Sequence, residues 1–239
     1  MRTRSMGRKG FTLVELMTVI VIIAILAGLT AGAVNNAIKQ ARIAAIRAEI
    51  GQLEMALSAY YGKYGEYPPD GTDATKVKNH INQCYRNFNG NVPTVTPETA
   101  LKIFLGPLNV NPRDPFNVTD NTSTTKPFFE FDRNRLDNNN RYSPSGSTQP
   151  YVYFRAEFVK GKGNYDGKQG TVTDGNNNRA KPYADANSKW YQESTFQIVT
   201  AGLDNDYGSG NAVVNDNLGA AHLDNIVNFA KGRLKDLLD

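Results

Sequence analysis

The chain is poor in the side chains from which most catalytic and metal sites are built. Its 239 residues include one cysteine, Cys84, which excludes an internal disulfide, and two histidines, His80 and His222. A zinc site or a Ser-His-Asp arrangement would have to form around one of these histidines, and neither lies in a supporting motif. We therefore expect both to be surface or capping residues. No paired-carboxylate, phosphate-loop or nucleophile-elbow pattern stands out, so the sequence does not predict an enzyme.

The excess of positive charge is confined to one short segment. The chain has 27 Lys and Arg against 23 Asp and Glu, and four of the basic residues precede position 11. From residue 11 onward the two signs balance, so we expect no general electrostatic attraction to nucleic acid. The positive-inside rule predicts that the four N-terminal charges stay on the cytoplasmic side of a membrane. These charges are Arg2, Arg4, Arg8 and Lys9.

A long apolar run follows the basic segment. It extends from Phe11 to Val34, 24 residues whose only charge is Glu15. At 1.5 Å per residue such a helix reaches roughly 36 Å, enough for a hydrocarbon core of about 30 Å. The run therefore predicts a membrane-spanning helix. A carboxylate inside such a span costs on the order of 2.5–3.5 kcal/mol, so Glu15 calls for a functional partner.

The order of basic segment, Gly10, Phe11 and Glu15 resembles the type IV prepilin signal of type IV pilins and type II secretion pseudopilins. The resemblance implies that a membrane prepilin peptidase cuts between Gly10 and Phe11 and methylates the new amine of Phe11. It also implies that Glu15 neutralises the terminal amine of a neighbouring subunit during filament assembly. Two other interpretations are an ordinary signal peptide cleaved after Ala33 and a signal anchor for an unrelated domain.

Beyond Val34 the apolar pattern narrows to a stripe. Its members recur at steps of three and four, and no proline lies between Phe11 and Tyr67. This spacing predicts that the helix continues as an amphipathic helix until Gly62, Gly65 and the two prolines after Tyr67 end it. The stripe consists of Ile43, Ile46, Ile50, Leu53, Leu57, Tyr60 and Tyr64. The predicted fold class is α+β and pilin-like, with this long helix packed against a small antiparallel sheet.

The rest of the sequence predicts a loop-rich soluble domain. Helices are expected at residues 76–88, from Thr96 as N-cap to Gly106, and near Leu234; strands are expected at 128–131, 151–158 and 196–200. Asp70-Gly71 is one of three Asp-Gly pairs that predict turns. The expected organisation is a cleaved leader (1–10), a transmembrane and assembly half-helix (11–34), an amphipathic half-helix (35–64) and a globular domain (65–239).

Fragments of the predicted globular domain resemble major, G-type pseudopilins of type II secretion. Segments 114–116, 149–153 and 196–210 stand where those proteins carry an Asp-Pro-Trp-Gly element, an Asn-Pro-Tyr-x-Tyr strand and a strand ending in a Gly/Asp-rich loop. The resemblance implies calcium in this loop, and Asp204 and Asp206 offer suitable oxygens. The loop does not follow the EF-hand pattern. A Gly-rich hairpin turn with solvated carboxylates is the alternative.

The function predicted from these features is structural. The chain is expected to be a subunit of a type II secretion pseudopilus or a type IV pilus-like filament, polymerising through its N-terminal helix. The implied partners are other copies, other pilin-like subunits, the prepilin peptidase, the inner-membrane assembly platform and the membrane. The implied location is the inner membrane, crossed once, with the globular domain on the periplasmic side, and the filament after assembly. The alternative is a membrane-anchored exported binding module that does not polymerise.

Overall fold

The fold is described from a computed structural model, which defines residues 10–119, 122–159, 162–210, 212–215 and 218–238. The side chains of Ala31, Gly32 and Val159 lie outside the described part, as does the predicted basic segment before Gly10. The chain divides into two compact units, residues 1–41 and 42–239. The first unit is helical from Leu13 onward, and the second contains the remaining helices and all described strands.

The first element is the helix α1, Leu13–Tyr64, which confirms the predicted long N-terminal helix. It ends where Gly65 adopts a φ of 81° and donates its N–H to Tyr61 O at 2.8 Å. A glycine in this left-handed conformation is the common C-terminal stop of a helix. Among the described residues, α1 is the one helix long and apolar enough to cross a membrane, with a mean hydropathy of 2.6 in its most apolar segment.

The predicted stripe of α1 is the centre of the core of the second unit. Ile50, Leu53, Leu57 and Tyr60 are fully buried, and Tyr64 packs against them from a half-buried position. Complete burial of a large apolar side chain contributes about 1.5–3 kcal/mol. The part of α1 from Arg42 onward therefore folds as part of the second unit.

A three-stranded antiparallel sheet packs on this stripe. Its strands are β1 (Val152–Arg155), β5 (Phe196–Thr200) and β7 (Ile226–Val227), in the order β1-β5-β7. Successive side chains of a strand point to opposite faces. One face of β1 and β5 joins the core around α1, and the other face joins a second apolar cluster. Both strands are therefore buried on both sides.

Four short strands form two smaller pairs. β2 (Glu157–Val159) pairs antiparallel with β3 (Lys162–Asn164), and β4 (Ala184–Asp185) pairs parallel with β6 (Val213–Val214). The predicted strand at 196–200 is confirmed, whereas the strand predicted at 151–158 is interrupted between β1 and β2. There the N–H of Ala156 donates to Thr195 O.

The prediction of a strand at residues 128–131 was wrong. The N–H groups of Phe128 and Phe129 both donate to Leu105 O at the end of a helix, so they are not available for a ladder. Phe129 instead packs edge-on against Phe131, at a centroid distance of 4.7 Å. Aromatic residues resemble a strand in sequence because strands and aromatic clusters favour the same side chains.

Three short helices complete the unit. They are α2 (Ala74–Cys84), α3 (Ala100–Leu105) and α4 (Ala220–Asp224), with 3-10 turns at Arg133–Arg135 and Leu234–Leu237. α3 confirms the predicted end at Gly106, but its N-cap is Thr99 rather than Thr96. Thr96 O accepts the N–H groups of Thr99 and Ala100, which forms a turn ahead of the helix. The predicted terminal helix is the 3-10 turn.

Candidate processing and assembly site

The helix α1 begins with a capping box formed by Thr12 and Glu15. The N–H and Oγ1 of Thr12 donate to Glu15 Oε2 at 2.8 and 2.9 Å, and the N–H of Glu15 donates to Thr12 Oγ1 at 3.2 Å. This reciprocal arrangement satisfies backbone N–H groups that lack an intrahelical partner. A cap of this kind stabilises a helix by about 1 kcal/mol. The spacing Thr12-x-x-Glu15 is the sequence signal for this box, and the prediction of a functional Glu15 did not rely on it.

The predicted cleavage bond lies just before this box. Gly10 and Phe11 precede α1, and the Phe11 side chain is 83 % exposed. A Cβ placed on Gly10 would meet no atom within 4 Å among the described residues. The fold therefore does not require a glycine at position 10. Any requirement for glycine at position 10 would therefore be imposed by a protein that recognises this segment.

Apolar side chains surround α1 on every side after Glu15. The large ones between Leu13 and Leu29 are 47 to 74 % exposed. A helix that is apolar all round is stable in lipid or against other helices, not in water. Glu15 itself is exposed, and the described residues give its Oε1 no hydrogen bond, because both contacts from Thr12 reach Oε2. This oxygen can accept a further donor.

The second predicted site is the loop that follows β5. Asp204 Oδ1 accepts the N–H of Asp206 at 3.0 Å, and Asp206 Oδ1 accepts the N–H of Gly208 at 2.7 Å. The side-chain amides of Asn176 and Asn178 donate to the two carboxylate oxygens of Asp206 at 2.5 and 3.0 Å. The loop brings the two predicted residues together and holds Asp206 with amide donors. The loop is not the turn of a β5–β6 hairpin, because β6 pairs with β4.

The negative charges of Asp204 and Asp206 are compensated to different extents. Burial raises the pKa of Asp204, and the nearby carboxylates of Asp224 and Asp206 raise it further. The hydrogen bond from the Asp206 N–H lowers this pKa, but by less than the other effects raise it. Burial acts in the same direction on Asp206, but donation by Gly208 and the two asparagine amides outweighs it, so the pKa of Asp206 is lowered. Asp204 is thus the member of the pair whose negative charge the protein compensates less.

A buried histidine fixes the position of this loop. His222 is 2 % exposed; its Nε2 donates to Ser209 O at 2.9 Å, and its Nδ1 accepts from the Tyr183 hydroxyl at 2.9 Å. Gly208, at a φ of 82°, lies so close that a Cβ would come within 2.5 Å of the His222 ring. The expectation that both histidines are surface or capping residues was wrong, because His80 is also buried, at 3 %.

Comparison with known proteins adds information for the N-terminal segment only. Residues 5–31 match the family model of the prokaryotic N-terminal methylation motif. No curated protein and no solved structure matches the chain. The matched segment includes Gly10, Phe11, the capping box and the first part of the exposed apolar helix. The motif indicates a type IV pilin-like protein that is processed by a prepilin peptidase.

Proposed function

We propose that the chain is a structural subunit of a type II secretion pseudopilus or a type IV pilus-like filament, assembled through α1 after residues 1–10 are removed. One combination of observations carries this proposal: the methylation motif covers the start of a helix with apolar side chains exposed on every side. Such a helix needs an apolar partner. Lipid can supply it before assembly, and the same helices of neighbouring subunits can supply it afterwards.

In this proposal Glu15 pairs with the amine that cleavage creates on Phe11 of a neighbouring subunit. A lone carboxylate among packed apolar helices would be costly, and so would a lone ammonium group. Each offsets the other when they meet. The Oε1 atom of Glu15 is available for this contact without breaking the capping box.

The topology follows from the same features. Residues 1–10 would remain cytoplasmic until cleavage, 11–34 would cross the inner membrane and drive assembly, and 35–239 would face the periplasm. The partners would be further copies, other pilin-like subunits, the prepilin peptidase and the inner-membrane platform. Among filament types we favour a major, G-type pseudopilin, on the fragments at 114–116, 149–153 and 196–210. The single cysteine also excludes the C-terminal disulfide loop typical of adhesive pilins.

The first prediction concerns processing. The mature chain should begin at Phe11 and carry one added methyl group, as measured by mass spectrometry of the membrane fraction. Gly10→Leu should leave most of the chain as precursor. Because position 10 contacts nothing in the fold, this loss would be attributable to recognition by the peptidase.

Ala33→Leu is the matched control for processing. It enlarges a small residue at the place where an ordinary signal peptidase would cut, and the variant should still be cut after Gly10 and methylated on Phe11. A parent chain that starts after Ala33, or a block by Ala33→Leu and not by Gly10→Leu, would exclude the filament function. A correctly processed chain that never forms filaments would favour the membrane-anchored binding module.

A calcium ion at Asp204 and Asp206 is a further part of the proposal. The incompletely compensated charge of Asp204 and the oxygen-rich loop support it, since Ca²⁺ takes carboxylate and carbonyl oxygens in flexible geometry. The melting temperature of the full chain in detergent should therefore be higher in millimolar CaCl₂ than in EGTA. At a hundredfold excess over Kd the gain is about 2.7 kcal/mol.

The double variant Asp204→Ala/Asp206→Ala should abolish the calcium-dependent shift. Asp137→Ala is the matched control, because Asp137 Oδ1 also accepts backbone N–H groups in a turn, from Asn139 and Arg141, outside the loop. It should keep the full shift. A parent chain whose melting temperature is the same in CaCl₂ and EGTA would show that the loop is only a turn, and the filament function would stand.

A further inference from the structure

Three different metal-binding side chains meet between the end of α1 and α2. Glu66 lies two residues after the end of α1, and His80 and Cys84 lie one turn apart on α2. Glu66 Oε1 is 2.8 Å from His80 Nδ1, and Cys84 Sγ is 4.0 Å from the same nitrogen. One potential ligand atom of each residue lies within 4.8 Å of the other two. The cluster thus combines a carboxylate oxygen, an imidazole nitrogen and a sulfur.

We propose that Glu66, His80 and Cys84 bind a divalent transition-metal ion of the zinc type, with a fourth position open to water. Sulfur and imidazole ligands select such ions over Ca²⁺ and Mg²⁺. Tetrahedral zinc would separate the oxygen and nitrogen by about 3.4 Å and the nitrogen and sulfur by about 3.6 Å. The oxygen–nitrogen distance must therefore open by about 0.6 Å and the nitrogen–sulfur distance close by about 0.4 Å. Small side-chain rotations supply such changes.

The neighbours of the cluster already orient two of the three ligands. Arg155 holds the other carboxylate oxygen of Glu66 at 2.8 Å, and the Tyr60 hydroxyl lies 2.7 Å from His80 Nε2. A metal-bound histidine usually donates its second N–H to an acceptor that fixes the ring. Tyr60 can be that acceptor. Its own hydroxyl proton can turn to the hydroxyl of Tyr85, which is buried beside it.

Metal binding moves the proton of His80 and releases one proton from the cluster. Without metal, Glu66 holds the His80 proton on Nδ1; with metal on Nδ1, that proton moves to Nε2 and faces Tyr60. The only proton released comes from the Cys84 thiol. Burial, with a contribution from the Glu66 carboxylate, raises the pKa of this thiol to about 11. Metal binding competes with that proton.

Solvent reaches the cluster through a groove of about 420 Å³ whose lining includes Glu66 and His80. Burial lowers the pKa of His80, despite the nearby Glu66 carboxylate, which raises it. This shift favours the neutral imidazole, which is the form that binds a metal ion. The groove and the neutral ring together permit an ion to enter and bind without unfolding the unit.

The test uses the untagged full chain in detergent, titrated with Co²⁺ and then with Zn²⁺ in competition. The parent should bind one ion with the visible bands of tetrahedral cobalt and a near-ultraviolet sulfur-to-cobalt charge transfer. Cys84→Ser should lose the charge transfer and bind Zn²⁺ at least tenfold more weakly. Asp137→Ala is the matched control, since it removes a carboxylate that only accepts backbone N–H groups in a turn elsewhere and should bind Zn²⁺ like the parent.

Glu66→Gln provides a second variant if Cys84→Ser does not fold. It keeps an oxygen that can face His80 but removes the charge, so it should weaken Zn²⁺ binding and retain the charge-transfer band. A parent without this band, or a Zn²⁺ affinity unchanged by both substitutions, would overturn the proposal. The filament function would be unaffected by any of these results.

Discussion

Replacing Glu15 with glutamine is expected to abolish most filament assembly while the chain is still inserted, cleaved and methylated. Glutamine serves in the capping box as well as glutamate does, so the start of α1 should persist. Only the charge is lost. The Phe11 amine of the next subunit is then left without a partner among apolar helices, and breaking such a buried pair costs about 3–5 kcal/mol. At 1.4 kcal/mol per factor of ten, assembly should fall on the order of 100-fold or more.

Thr12→Ala is the matched control for Glu15→Gln. It breaks the capping box, at a cost of about 1 kcal/mol, but keeps the carboxylate. Filaments counted by electron microscopy and in the sheared fraction should remain close to the parent level, with mature N-termini in all three chains. Abundant filaments of Glu15→Gln would remove the charge-pairing role. Equal losses in both variants would show that Glu15 acts through the helix cap.

Features set by neighbours in the sequence could be predicted. The helix α1 and its buried stripe follow from periodicity alone, since apolar residues at steps of three and four define one helix face wherever the helix ends up. The strand 196–200 was also predicted, because four of its five residues are β-branched or aromatic. For the same reason the prepilin signal was visible: Gly10, Phe11 and Glu15 lie within one short segment.

Features that depend on distant partners could not be predicted. Phe128 and Phe129 look like a strand until Leu105 O takes both N–H groups. His222 looks like a surface residue until Tyr183 and Gly208 enclose it. No local pattern carries these contacts, because they are fixed by packing between segments far apart in the chain.

The two candidate metal sites also combine features that the sequence could reveal with contacts that it could not. Asp204 and Asp206 were found as a pair, but the asparagine amides that satisfy Asp206 come from a segment 28 to 30 residues earlier. The cluster of Glu66, His80 and Cys84 was missed although it is nearly local. Its usable signal was His-x-x-x-Cys on a predicted helix, which places both side chains on one face.

Lys168 is the residue whose loss should most destabilise the globular unit. Its ammonium group is buried, 2.6 Å from Asp70 Oδ2, 3.0 Å from Glu157 Oε1 and 3.1 Å from Thr72 Oγ1. The pair Asp70-Gly71 is the predicted turn, with Gly71 at a φ of 81°, but the Asp70 side chain points into the protein and is 3 % exposed. Lys168→Met would leave this carboxylate buried without its counter-charge.

The expected cost of Lys168→Met is about 3 kcal/mol, at the low end for a broken buried pair, because Asp70 keeps hydrogen bonds from Arg155 N and from Thr72. For a unit of this size the melting temperature should fall on the order of 10 °C. Thermal melting of the full chain in detergent, followed by the fluorescence of its only tryptophan, Trp190, measures this fall. Trp190 is a suitable probe of the globular unit, since its ring centroid lies 5.7 Å from that of the buried Tyr165.

Lys76→Met is the matched control, because Lys76 also pairs with Glu157 but from the surface, with half of its side chain exposed. Exposed ion pairs contribute about 0–1 kcal/mol, so its melting temperature should stay within a few degrees of the parent. Both substitutions remove one positive charge and leave a similar apolar stem. The difference between them therefore isolates the effect of burying Asp70 without a partner. Equal shifts for the two variants would show that the Lys168–Asp70 pair does not support the fold of the globular unit.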